Sequence, residues 1–527
     1  MAVEAVVAKI QDLKDGDMKE VKVGETTVLL SKIKGEFHAV GGICTHYGGN
    51  LAEGACKGDR VYCPWHMSAF NMVTGDLLEP PGLDAVPRFE VRLEGEDVIV
   101  RVPEGAGERR VPDMAQRNAA VDPRTFVILG AGAAGLAAAE ALRQDGFQGR
   151  VVMITQEKRL PYDRPELSKN YLAGANPQEV LWLRSREFFE THDLEIFLET
   201  KVARVEAGAK TLSFADGTVM KYDALLVATG GLARPLEVPG GNLAGVFTLR
   251  NLEDAEAIIA AARKGANAVI AGASFIGMET AGSLSARGLK VTVAAPGPVP
   301  FHRTLGPEIG RMWQRLLEEN GVSFRLGARV ERLEGRHRVE AVLLDNGEQL
   351  PADLVIAGVG VKPATEMLQG VPVNPDGSVT VDEHLRAAEG LYAAGDIARF
   401  PDWRTGDLIR IEHWRLAMQH GRVAAHNMAG KKTPFRDIPF FWSERLDIHF
   451  QYAGYVSDWD EIIYHGDPAT RNFLAFYVKN RRVLAAAGCQ HLEEMAAIME
   501  LMRLDRLPAP EELRRGPVDF LARLREN

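Results

Sequence analysis

The chain has 527 residues, 46% hydrophobic and 25% charged, enough for three or four globular domains with cores of their own. A net charge of −10 without any basic tract argues against a nucleic-acid partner and leaves no polybasic patch for an anionic membrane. Four cysteines are too few for a disulfide scaffold, and the start, MAVEAVVAKI, lacks the cationic stretch and cleavage site of a signal peptide, so a cytoplasmic setting is expected. The longest apolar run, Phe126 to Ala139, spans 14 residues with three glycines, short of the ~20 that cross a bilayer, so no membrane association is expected.

Near the start stand two short strings, CTH at Cys44 to His46 and CPWH at Cys63 to His66. Together they offer two thiolates and two imidazoles, and the sixteen residues between His46 and Cys63 suit two loops converging from a small β domain. Two metal readings are open. A Rieske [2Fe–2S] cluster holds one iron by two Cys and the other by two His, whereas a structural zinc takes the same four ligands as one tetrahedron. Zinc fingers usually set both His together on a helix. Here each Cys is paired with its own His, and TGD at Thr74, PGL at Pro81 and an alternating strand from Val91 to Val102 follow, which favours the cluster. Residues 1–103 resemble the Rieske domain family in its ferredoxin or oxygenase style. High-potential members add a disulfide between the ligand loops; Gly49 and Trp65 occupy those places, so the resemblance implies a centre of lower potential. Cys56 and Cys489 are left over and read as buried apolar residues.

Residues 104–123, EGAGERRVPDMAQRNAAVDP, are polar and aperiodic and read as a linker. From Arg124 the pattern changes to short β-branched runs alternating with Ala-rich helical stretches, as in parallel sheets built of βαβ units. The first unit carries GAGAAG between the strand TFVIL and a helix. Gly130, Gly132 and Gly135, with Ala134, read as a turn, a close approach to a pyrophosphate and a helix–strand contact, and Glu157 ends the next strand where a ribose would be met. The second unit carries GASFIG. Gly272, Ser274 and Gly277 repeat the pattern with a small hydroxyl at the middle position, and Glu279 follows.

RLPYDRPELSK from Arg159, ATGG at Ala228, GDIA at Gly395 and EHW at Glu412 are similar to segments of the pyridine-nucleotide-dependent flavoprotein family, especially its ferredoxin-reductase and apoptosis-inducing-factor-like members. That resemblance implies FAD held by Arg164, Lys169, Thr229, Gly230, Asp396 and Trp414. It also implies NAD(P)H bound beside Glu279, with Gly360 closing the second site and Trp442 a further wall for the flavin. No Cys lies between Cys63 and Cys489, so the redox Cys pair of the disulfide reductases is missing. The second unit's strand ends in Ala294 and Ala295, with neither the acid of an NAD site nor the base of an NADP site; His302 and Arg303 read as solvent-facing, which tilts the expectation to NADH.

The order of parts resembles the apoptosis-inducing-factor-like Rieske flavoproteins. The implied fold is multidomain: a small all-β Rieske domain, an α/β reductase with two dinucleotide-binding domains of glutathione-reductase type, and a C-terminal α+β domain. The expected boundaries are 1–103, a linker at 104–123, FAD-binding parts at 124–247 and 365–430, an NAD(P)-binding part at 248–364, and 431–527. The expected activity is electron transfer from NAD(P)H through FAD and the cluster to an unknown acceptor, a protein among the candidates. Two alternatives stand beside it. One is an interaction protein whose dimerisation NADH governs. The other is a self-sufficient Rieske oxygenase, for which His420 and His426 are the nearest pair for a mononuclear iron.

Overall fold

The computed structural model describes residues 2–446 and 448–526. The N-terminal unit is built on a six-stranded antiparallel sheet in the order Ala2–Lys9, Asp97–Pro103, Arg88–Glu94, Glu36–Gly41, Thr26–Ile33, Met18–Val23. Strand Thr26–Ile33 is apolar on both faces because it divides two cores. Val28 and Leu30 pack with Phe89, Val98 and Val100, while Leu29 and Ile33 face Phe70, Cys44 and Cys63. A second, four-stranded sheet of Cys56–Lys57, Arg60–Tyr62, Ala69–Asn71 and Leu77–Glu79 carries the second ligand loop.

The strand expected from Val91 to Val102 is a hairpin. Glu94 pairs with Asp97 across a two-residue turn, where Gly95 takes φ +61°, so one alternating run folds back on itself. Residues 104–123 form no helix or named strand, yet they are tied at both ends: Arg110 exchanges backbone bonds with Ala85, and the Ala115 amide donates to Arg143.

Two parallel sheets follow. In the first, Leu194–Phe197, Arg150–Ile154, Thr125–Leu129, Ala224–Val227 and Leu391–Ala393 run parallel, with Arg386–Ala388 added antiparallel at the edge. Phe126, Val127, Ile128 and Leu129 are all buried, as a strand covered by helices on both faces requires. Helix Trp414–Met428 lies against helix Ala133–Gln144, and the approach is close enough that a Cβ on Gly421 would meet the Ala134 carbonyl oxygen at 2.0 Å. The second sheet orders Val246–Phe247, Leu354–Ala357, Asn267–Ala271, Lys290–Ala295 and Val322–Leu326.

The last unit is a five-stranded antiparallel sheet, Phe440–Arg445, Ile448–Gly454, Arg482–Cys489, Asn472–Lys479 and Glu461–Asp467, backed by helix Leu492–Arg503. It and helix Trp414–Met428 clamp the N-terminal unit. Arg415, fully buried, pairs with Glu79 and donates to the carbonyls of Pro80 and Met67 at 2.9 and 3.1 Å; Gln451 donates to Pro64 and Trp65 at 2.6 and 2.7 Å. Arg184 bridges Asp84 and Glu140 at 2.8 Å each. Among the described residues no helix is long and apolar enough to cross a membrane.

Candidate redox site

Both ligand loops are shaped by backbone bonds around their cysteines. The Cys44 amide donates to Gly49 and the Cys63 amide to Ser68, each at 2.8 Å, while the carbonyls of Cys44 and Cys63 accept from Gly48 and Met67 at 3.1 Å. A hydrogen bond from Cys63 holds the Cys44 thiol below its ordinary range, against its burial, and the amides of His46 and Tyr47 add to the effect. As the donor of that bond, Cys63 is pushed well up. The contact between the two thiols thus favours a thiolate at Cys44, the form a ligand takes. A Cβ on Gly49 would lie 2.8 Å from Cys63 Sγ and about 3.1 Å from the Trp65 ring, so glycine is demanded there by packing.

The imidazoles of His46 and His66 turn their Nδ1 atoms toward each other, 2.9 Å apart. Burial holds both below the ordinary histidine range, the more so at His46, where His66 adds to it, so each is neutral, as a ligand must be. Thiols pair with thiols and imidazoles with imidazoles. Among the described residues no three His, Cys, Asp or Glu side chains gather as one metal ion requires. The arrangement fits two irons, Cys₂ on one and His₂ on the other, and not a single tetrahedral zinc. His420 and His426 do not converge: His420 Nδ1 accepts from the Gly395 amide, and His426 binds Asp145. The iron site an oxygenase would need is thus not built from them.

Beside this centre opens a cavity of about 640 Å³. Its lining includes Gly130, Gly132, Ala134, Glu157, Arg164, Lys169, Thr229, Gly230, Glu279, Asp396 and Trp414. The glycines divide the work as their positions suggest. A Cβ on Gly130, at φ +111°, would strike the Ala228 oxygen at 2.2 Å, and one on Gly135 the Gly130 oxygen at 2.0 Å. Gly132 caps helix Ala133–Gln144 and faces open space, leaving room for a phosphate at the helix N-terminus. Glu157 is engaged by the Tyr162 hydroxyl at 2.6 Å and Arg164 at 2.7 Å; Thr229 donates to the Ala364 carbonyl at 2.6 Å. Asp396 accepts from Arg250 at 2.6 Å, a partner that nothing in the sequence around Arg250 signals. His413 also lines the cavity. Burial pushes its pKa down to about 4, Asp396 opposing, and its buried Nδ1 has no hydrogen-bond partner, which suits a polar ligand atom. The donors, the glycine cradle and the size fit a flavin dinucleotide.

The second glycine turn repeats the first. A Cβ on Gly272, at φ +112°, would meet the Gly358 oxygen at 2.3 Å, and one on Gly277 the Gly272 oxygen at 2.3 Å. Ser274 caps helix Phe275–Ala286 and its hydroxyl donates to Gly358 at 3.3 Å; Gly360, at φ +101°, is open. These four lie off the first cavity's lining, and Glu279 joins the two. It accepts from Ser168 at 2.5 Å and Ser443 at 2.8 Å, with Lys169 3.7 Å away.

One side chain belongs to both centres. Trp442 lines the cavity, and its ring lies 4.4 Å from that of His66 and 6.0 Å from that of His46, with the Lys169 ammonium 5.3 Å above it.

Fold and site together define a flavoprotein reductase with two nucleotide folds and a Rieske centre of its own. The chain belongs to the pyridine nucleotide-disulphide oxidoreductase family, whose model matches residues 124–421; the Rieske [2Fe-2S] domain matches 3–90 and the reductase C-terminal domain 440–521. It is 38% identical over 515 residues to apoptosis-inducing factor 3 of Homo sapiens, covering 96% of this chain and 84% of that one. Rhodocoxin reductase of Rhodococcus erythropolis is 33% identical over 74% of this chain and 91% of its own. A ferredoxin reductase from Rhodopseudomonas palustris superposes with a TM-score of 0.71 at 31% identity, covering 76% of this chain and 99% of that one. The covalent putidaredoxin reductase–putidaredoxin complex gives 0.70 at 31%, covering 74% and 95%.

Proposed function

We propose that this protein takes a hydride from NAD(P)H and releases the electrons one at a time through its own Rieske centre to an external acceptor. When bound, FAD supplies the conversion from two-electron to one-electron chemistry and the [2Fe–2S] group the single-electron exit. The observation that carries the reading is Trp442, a wall of the cavity whose ring also packs, tilted by 41°, against the ring of His66 at 4.4 Å. Lys169 and Glu279 stand beside it as a buried ion pair that orients the cavity's inner end. Gly130, Gly132 and Arg164 would seat the adenine-nucleotide half with the pyrophosphate, and Thr229, Gly230 and Asp396 the flavin half; Gly272, Ser274, Gly277 and Gly360 would receive the nicotinamide dinucleotide. His46 and His66, 10% and 4% exposed at their side chains, are shut away from water by Trp442 and Tyr47, which keeps the electron path dry.

We favour NADH as donor, in line with relatives such as the rubredoxin-NAD(+) reductase of Pseudomonas putida, 31% identical over 68% of this chain. The acceptor we favour is a small one-electron redox protein, by analogy with putidaredoxin reductase, and the setting cytoplasmic. Stopped-flow absorbance after mixing with NADH tests the route. Trp442→Leu should slow reduction of the cluster bands by far more than it slows flavin bleaching. If both bands follow wild-type kinetics, Trp442 is no part of the path.

A further inference from the structure

The outer nitrogens of the two imidazoles point away from the Rieske unit, into segments far off in sequence. His66 Nε2 lies 2.8 Å from Glu444 Oε1, on strand Phe440–Arg445. His46 Nε2 lies 3.9 Å from Asp163 Oδ2, just before the turn Arg164–Ser168. Asp163 Oδ2 also accepts from the Tyr47 hydroxyl at 2.5 Å, and its Oδ1 is buried without a hydrogen-bond partner. Each imidazole thus faces one carboxylate, and each carboxylate comes from the reductase rather than from the Rieske fold. Other charged or titratable groups that act on these pairs are His449, 3.5 Å from Glu444, Lys169 above Trp442, Glu166 beside Asp163, and Arg109 toward His46.

We propose that the reductase part of the chain sets the reduction potential of the Rieske centre through this pair, Glu444 acting on His66 and Asp163 on His46. The inference rests on the proposed residence of the cluster at Cys44, His46, Cys63 and His66. An imidazole whose outer N–H donates to a carboxylate, as His66 can to Glu444 at 2.8 Å, is a more basic ligand for an iron, whereas Asp163, 3.9 Å from His46, would act through its charge alone. Reduction adds one electron and one negative charge, with no bond made or broken. That charge is less welcome beside a carboxylate in a poorly solvated site, so the oxidised state is favoured. The centre therefore holds its electron loosely and passes it on, and the effect depends on the Rieske unit staying docked. Both carboxylates act through the ligands and are positioning residues, not catalytic ones.

The test is an EPR-monitored redox titration of the reconstituted full-length protein, comparing wild type with Glu444→Gln, Glu444→Asp and Asp163→Asn. Each neutral variant should shift the one-electron equilibrium about tenfold toward the reduced cluster, 59 mV for one electron, with iron content and a Rieske-type signal retained. Glu444→Asp, which keeps the charge, should stay nearer wild type. Intact signals with unmoved potentials in both neutral variants would overturn the proposal. If Glu444→Gln loses its iron, the potential of Asp163→Asn decides alone. A wild type without a Rieske signal is a different result: it would remove the proposed function, and this inference with it.

Discussion

Arg415 joins the two redox units, and its replacement by Met should uncouple them. Its guanidinium is fully buried and satisfied: Nε donates to Pro80 at 2.9 Å, Nη1 to Ile438 at 3.3 Å, and Nη2 to Met67 at 3.1 Å and to Glu79. Methionine restores much of the stem's volume but none of these bonds. Breaking a buried ion pair from one side costs ~3–5 kcal/mol. Glu79 keeps Arg60 and Gln419, which points to the low end of that range, while the three carbonyls losing their donor add ~1 kcal/mol each. A total of about 6 kcal/mol follows, roughly ten-thousandfold in the docking equilibrium of the Rieske unit. The assay is a thermal scan in which visible circular dichroism follows the cluster and fluorescence follows the flavin in one sample. The cluster signal should be lost at lower temperature than in wild type while the flavin stays bound, and flavin-to-cluster transfer should slow at 25 °C. Adding Glu79→Gln removes the stranded charge and should recover part of the loss. An unshifted cluster transition in Arg415→Met, or a double variant as unstable as the sum of the singles, would refute the reasoning.

Gly49→Ala should lower iron and acid-labile sulfide per flavin, because its Cβ would stand 2.8 Å from Cys63 Sγ; equal iron content in variant and wild type contradicts this. Asp437 sets a pH dependence. Burial, then Glu79, pushes it from 3.8 up to about 7, with Arg415 opposing. The folded pKa exceeds the unfolded one, so the stabilisation it gives is complete below 3.8 and is lost as pH rises through about 7. Urea midpoints taken across that window should therefore fall less steeply with pH in Asp437→Asn, and an unchanged slope would contradict the assignment.

The legible parts of this protein were those whose chemistry is local in the chain. CTH and CPWH announce a Cys₂His₂ set because each string is a single turn. The glycine runs at Gly130 and Gly272 announce nucleotide folds because each glycine answers to backbone within its own strand–turn–helix unit or to the neighbouring strand's end. The hairpin at Gly95 is the converse case: the apolar positions change from odd (Val91, Leu93) to even (Val98, Val100, Val102) across a two-residue turn, a phase shift that a single-strand reading of the run overlooks.

The choice of cluster over zinc was only a preference until the fold set thiol beside thiol and imidazole beside imidazole. Arg250 on Asp396, Glu444 on His66 and Asp163 near His46 carry no sequence signal, since His66 and Glu444 are 378 positions apart and meet only when the C-terminal sheet closes over the ligand loops. By itself the sequence determined which cofactors this chain is built for, because their binding turns are short-range. Tertiary structure alone decided that the two centres share Trp442 and that the reductase supplies the carboxylates around the Rieske imidazoles, because those contacts arise from packing between distant segments.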